Sequence, residues 1–149
     1  MKAAVYDHNG PPEVLRYTDV PDPKIRSRDV LIQVEAISVE GGDLINRRSS
    51  PPGHPAYVVG YAAAGTVVAI GDAVTDRKPG DRVTSWGLDG SHAQLRAVPT
   101  DQTWLLPAGA ASSQSSTGSA LNAMKNASYP GGYLRAMWPR GLAQPPQKA

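Results

Sequence analysis

Residues Gly60 to Val83 read GYAAAGTVVAIGDAVTDRKPGDRV, and the order of residue types in this stretch decides the fold. The apolar, β-branched run from Ala62 to Ile70 reads as a strand buried on both faces. Gly71 and Asp72 punctuate it. Pro79-Gly80 then fits a type II turn, because Pro presets φ at the second position and Gly accepts positive φ at the third. Asp81-Arg82-Val83 starts the next strand, so the stretch predicts a buried hairpin.

Outward from that hairpin the chain stays rich in short strands. Lys2 to Asp7 and Leu15 to Asp19 read as strands around a turn at Gly10-Pro11-Pro12. In Asp29 to Ile37, Val30, Ile32, Val34 and Ala36 alternate with period 2, the mark of a strand. Gly42 to Arg48 suits one or two helical turns, stopped by the breaker-rich Ser49 to Pro55. Strands from His92 to Val98 and from Thr103 to Leu106 follow. Short strands at regular spacing with Gly/Pro turns predict a mostly-β unit over residues 1–109, a partly open β-barrel with one or two short helices.

Composition divides the chain of 149 residues at that point. Residues 1–109 carry eleven Lys+Arg and all thirteen Asp+Glu, whereas residues 110–149 carry four Lys+Arg and no acid. The basic pI of about 9.0 therefore belongs to the tail. Four scattered cations make a thin footprint for phosphates, which argues against a nucleic-acid partner. The tail also lacks Val, Ile and Phe and contains the serine-rich run Ser112 to Ser119, so residues 110–149 read as a low-complexity tail, disordered or loosely packed. The absence of cysteine excludes a disulfide framework and a thiolate metal site. No apolar run approaches ~18 residues and no signal peptide is evident, so the expectation is a soluble cytoplasmic protein without a membrane partner.

The hairpin stretch follows the pattern G-x-V-x-x-x-G-x-x-V-x-x-x-x-x-G-D-R-V, carried by Gly65, Val67, Gly71, Val74 and Gly80 to Val83. It resembles the GroES-like catalytic domain of the medium-chain dehydrogenase/reductase superfamily. Residues 1–109 are most similar to the zinc-independent quinone oxidoreductases. The opening MKAAVYDHNGPPEVLRYTDVPDP carries their G-x-P-E-V-L element as Gly10, Pro12, Glu13, Val14 and Leu15. DVLIQVEAISVEGGDLINR resembles the strand and helical turn that place the active-site wall, and GSHAQLRAVP the strand after the active-site loop. The resemblance implies hydride transfer from NADPH to a small-molecule quinone or enone carbonyl, and it admits a homodimer.

The same resemblance nominates site residues. Zinc-dependent relatives place Gly-His-Glu where this chain has Gly60-Tyr61-Ala62, and a proton-relaying hydroxyl where it has Gly42. Isolated His8, His54 and His92 do not replace that ligand set, so catalytic zinc is not expected. Glu40 stands where many zinc-free relatives have an Asn beside the nicotinamide; it acts there, or it faces solvent or caps the turn from Gly41 to Arg47. Tyr61 lines the substrate pocket with its hydroxyl on a carbonyl oxygen, or is a core aromatic with a backbone partner. Asp43 and Arg47 contact the cofactor, or Asp43 caps the turn or pairs with Arg47 four residues on, or Arg47, like Arg48, is a solvated surface cation. Trp86, on the loop from Thr84 to Gly90, stacks on the substrate or packs beneath that loop. Asp89, Ser91 and His92 superficially suggest a hydrolase triad, but they sit too close in sequence on one turn to converge.

The superfamily binds its dinucleotide in a following Rossmann domain, whose glycine-rich turn lets backbone N–H groups meet the pyrophosphate. No such turn occurs in this sequence, and residues after Gly109 suggest no βαβ unit. The expectation is the catalytic half of a quinone or enone reductase, inactive alone, whether through frameshift, truncation or natural economy. The alternative is a non-catalytic binding or interaction module that kept the fold.

Overall fold

The computed structural model describes residues 1–112. Eight strands run in chain order: β1 (Lys2–Tyr6), β2 (Arg16–Asp19), β3 (Asp29–Ile37), β4 (Tyr57–Val58), β5 (Ala62–Ile70), β6 (Arg82–Trp86), β7 (Leu95–Pro99) and β8 (Thr103–Leu105). Among the described residues one α-helix of more than a single residue, α1 (Gly41–Ser49), and two 3-10 turns, Pro12–Val14 and Thr100–Gln102, accompany them. The fold is mostly β, as the turn and alternation pattern predicts. The expected composition change at residue 110 lies almost wholly outside the described residues.

Two antiparallel sheets form, ordered β2-β1-β4 and β7-β3-β5-β6-β8. A single bridge between Ala3 and Ala93 stitches them together on the edge of β1 that β2 leaves free. Ala4 N donates to His92 O at 2.8 Å and Gln94 N to Lys2 O at 3.0 Å, holding that seam. The barrel is therefore partly open, as expected. The core cluster lies on the larger sheet and holds Val30, Ile32, Val67, Val83 and Val98, with Val74 from the loop after β5 and Ile70 packed against them. Burying each such side chain contributes about 1.5–3 kcal/mol. Of the period-2 positions of β3, Val30 and Ile32 are buried in the core, whereas Val34 and Ala36 are half-buried.

Two readings need correction. β5 is buried on both faces only over its first half: Ala62 to Gly65 are all buried, whereas Val68 is 40% exposed. In its second half Val67 still faces the core but Val68 faces outward, so residue type alone overstates its burial. The strand expected from His92 begins at Leu95, because Ala93 bridges to Ala3 of β1 and Gln94 marks the changeover, its N–H donating to Lys2 O and its carbonyl accepting from Val34 N of β3.

The turn at Pro79-Gly80 forms as read. Gly80 has φ +92, and Asp81 N donates to Lys78 O at 3.1 Å. No atom lies within 4 Å of where a Gly80 Cβ would stand, so only backbone conformation opposes a side chain. Gly80→Val is expected to lower stability by more than ~1 kcal/mol. An unchanged urea midpoint would rule out the turn's contribution. Among the described residues, no helix is long and apolar enough to cross a membrane.

Candidate functional site

The candidate residues gather where α1 crosses the start of β5 and the end of β6. Glu40 caps α1 in an extended conformation, with φ −110 and ψ 159. Its backbone N–H donates to Asp43 Oδ2 at 2.9 Å, so Asp43 closes the first turn. Glu40 Oε1 accepts from Ser38 Oγ at 3.0 Å. α1 is inverted: its buried residues are Asp43 and Arg47, whereas Leu44 and Ile45 are 52% and 64% exposed. Val39, just before the helix, is also exposed.

Asp43 and Arg47 do not pair with each other. Arg47 reaches from the last turn to donate to the carbonyl of Gly10, and Gly10 N returns a bond to Arg47 O at 2.9 Å. The helix end is thereby stapled to the β1–β2 connection. Asp43, 3% exposed, has Oδ2 also 4.0 Å from His92 Nε2, while its Oδ1 is buried without a hydrogen-bond partner. Of the alternatives the sequence leaves open for Asp43, the cap is formed.

Tyr61, 7% exposed, lies with its ring against α1. Its position depends on Gly42, because a Cβ there would stand 2.3 Å from Tyr61 Cε2. Asn46 Nδ2 donates to the Tyr61 hydroxyl at 2.6 Å. Burial first, then the negative charge of Asp43, pushes the Tyr61 phenol above its ordinary pKa; the Asn46 bond opposes that shift and the Glu40 charge adds to it. Trp86 is the last residue of β6 and pairs with Ala62, so it belongs to a strand end and not to the loop predicted for it. Its ring lies 6.1 Å from that of Tyr61 at 54°. Tyr61, Trp86 and the Glu40–Asp43 cap thus share one corner of the domain, with Arg47 turned to its far end.

The strand-and-loop partner of this corner is Gly87 to His92. Gly87 N donates to Tyr61 O at 2.9 Å, Gly90 N to Val58 O at 2.9 Å and His92 N to Val59 O at 3.0 Å. Behind the loop sits Arg96, 2% exposed, which donates to Ser85 Oγ at 3.0 Å and Asp89 O at 2.7 Å. Burial pushes its pKa down to about 10, against the opposing charges of Asp89 and Asp43. Ser91 Oγ is buried without a hydrogen-bond partner, so Ser91 and His92 make no nucleophile–base pair.

Sequence reading missed Asn46 and Arg96. The signal for Asn46 was its place four residues after Gly42 on one helix face. Arg96 sat on the inward phase of an alternating strand and was passed over because arginine is rarely buried. Two surface hollows, of about 340 and 310 Å³, lie one beside Arg26 to Asp29 and the other between the Gly87–Gly90 loop and Leu95 to Pro99. Tyr61 and Trp86 line neither of these two hollows.

Comparison with known proteins agrees with this architecture. Residues 26–108 match the alcohol dehydrogenase GroES-like domain. The quinone oxidoreductase of Sus scrofa is 35% identical over 102 residues, covering 66% of this chain and 31% of its own length. The synaptic vesicle membrane protein VAT-1 of Tetronarce californica is 34% identical over 88 residues, covering 58% of this chain and 23% of its own. The structure of a mycobacterial quinone oxidoreductase superposes with a TM-score of 0.75 at 30% identity, covering 87% of this chain and 42% of that one. The chain spans less than half the length of each.

Proposed function

This chain belongs to the alcohol dehydrogenase GroES-like domain family of the medium-chain dehydrogenases/reductases, and from that premise we propose that it is the substrate-side domain of a zinc-independent, NADPH-dependent quinone or enone oxidoreductase of the cytoplasm. The observation that carries this reading is the Tyr61–Trp86 corner, a phenol held by Asn46 beside an indole. NADPH supplies the hydride in such a reaction. Tyr61 donates a hydrogen bond to the substrate carbonyl oxygen, where negative charge grows as hydride arrives. Trp86 offers a flat face for a conjugated ring. Glu40 stands at the helix cap as a polar wall, and Arg47 fixes the helix on which Glu40 and Asp43 sit. The exposed Val39, Leu44 and Ile45 give that wall an apolar flank for a cofactor-bearing domain.

The family also includes zinc enzymes, and the residues here do not fit the metal. Tyr61 and Ala62 offer no imidazole or carboxylate, the sequence has no cysteine, and no group of three His, Asp or Glu residues converges among the described residues. The purified chain is expected to carry no stoichiometric zinc; about one tightly held ion per chain by elemental analysis would refute this.

Function is tested by joining residues 1–109 to the dinucleotide-binding domain of a zinc-free quinone oxidoreductase. NADPH-dependent quinone reduction is expected. Tyr61→Phe in that fusion should lower kcat by about 10²-fold, the scale of losing one donor to a developing oxyanion, with less change in KM. A folded but inactive fusion would instead favour a non-catalytic binding module.

A further inference from the structure

Asn46 makes one side-chain contact that nothing in the helix itself requires. It lies in α1 one turn after Gly42, so the two present adjoining positions on one helix face. Gly42 supplies the floor: its missing side chain leaves room for the Tyr61 ring, whose hydroxyl lies 3.0 Å from the Cβ position. Asn46 supplies the amide, with Nδ2 2.6 Å from that hydroxyl oxygen. A phenol has one proton to donate and lone pairs to accept with, whereas an amide NH₂ only donates. The contact therefore occupies a lone pair of Tyr61 and leaves its proton unspent.

We propose that Asn46 is a positioning residue: it holds Tyr61 through the phenol oxygen, so that the phenol proton is free for the oxygen of a neutral carbonyl lying against Trp86. The inference rests on the reading of Tyr61 as the carbonyl contact and adds the class of ligand. Asp43 and Glu40 place two carboxylates near the phenol, and their charges act on it. Asp43 Oδ2 is taken by Glu40 N and Glu40 Oε1 by Ser38 Oγ, whereas Asp43 Oδ1 stays buried without a hydrogen-bond partner. Neither claims the Tyr61 proton by a hydrogen bond, and together they repel an anionic ligand. An uncharged acceptor such as a quinone suits this corner; a ketoacid does not.

The test uses the whole chain of 149 residues, labelled with ¹³Cζ-tyrosine, and reads the Tyr61 signal by NMR. That signal is identified by its loss in Tyr61→Phe. Because Asn46 donates to the phenol oxygen, it favours the phenolate. Asn46→Leu should therefore raise the Tyr61 ionisation midpoint by roughly 0.5–1 pH unit, the size of one net hydrogen bond. Asn46→Gln, which keeps a donor, should recover part of the shift. A midpoint that falls would mean the phenol donates to Asn46, and one that stays put would mean the contact is idle; either overturns the proposal. Should Asn46→Leu not fold, Asn46→Asp keeps the volume and must raise the midpoint further.

Duroquinone is the carbonyl probe, chosen because its ring carbons are fully substituted and resist conjugate addition. It should move the Tyr61 signal downfield in the native chain. The response should weaken in Asn46→Asp, where the new carboxylate takes the proton. Pyruvate at the same concentration should leave the signal unmoved, and an equal response to pyruvate would overturn the ligand class. A native Tyr61 signal indifferent to duroquinone would overturn the reading of Tyr61 itself, a failure distinct from an unmoved midpoint in Asn46→Leu.

Discussion

Mixed with NADPH and a quinone, the chain of 149 residues is expected to reduce nothing above the uncatalysed rate. Hydride transfer needs the nicotinamide carbon held about 3–3.5 Å from its acceptor, and that placement is worth roughly 7–11 kcal/mol of barrier. Tyr61 and Trp86 line neither of the two hollows described above, and no glycine-rich strand-to-helix turn occurs in the sequence to anchor a pyrophosphate. Arg47, in the last turn of α1, donates to the Gly10 carbonyl. Without an anchor, NADPH meets the substrate only by collision. The loss should be on the order of 10⁵-fold or more relative to the fusion described above, the low end of measured positioning effects. Stopped assays at 340 nm with both proteins at equal concentration make the comparison. Turnover by the chain alone at more than a hundredth of the fusion rate would show that the cofactor has a complete seat here.

The second large effect is structural. Gly65→Val is expected to prevent folding, or to cost on the order of 4 kcal/mol or more, a large share of the 5–15 kcal/mol that holds a domain together. A Cβ at Gly65 would stand 2.0 Å from the carbonyl oxygen of Gln33 and 2.9 Å from its carbon. Those are backbone atoms of the neighbouring strand, at the place where the β3–β5 register slips between Val34 and Ala36. Making room means moving the central pair of the larger sheet. Gly80→Val serves as the matched control, since it meets open space and suffers only from its positive φ. Urea unfolding should rank Gly65→Val far below Gly80→Val. Equal midpoints would mean that the bulge yields easily and the two strands are not tightly locked.

These two glycines mark how far local sequence carries. The Pro79-Gly80 turn is legible because its cause is local: one residue presets φ and the next tolerates the opposite sign. Gly65 was recognised as part of a pattern, yet the reason for it lies in Gln33, a residue far off in sequence that only strand pairing brings close. β3 and β5 were readable from end to end, as were most residues of α1, because period and punctuation are written along the chain. β4 was not read, since Tyr57–Val58 has too few residues to show a period and exists by pairing with β1.

The site divides along the same line. The sequence by itself determined that position 61 is a tyrosine, that cysteine is absent, and that the helical turn after β3 carries Glu40, Asp43 and Arg47. Residue identity suffices for each. Only the tertiary structure decided what those groups do with one another: that Arg47 turns to Gly10 while Asp43 caps its own helix, and that Arg96 is buried behind the Gly87–Gly90 loop. It also decided that Asn46 meets Tyr61 over the gap left by Gly42. The physical reason is reach. Propensity, turn chemistry and alternation act over a few residues, but a hydrogen bond between residues fifteen apart exists only once the helix has been laid across the strand and water has been excluded between them.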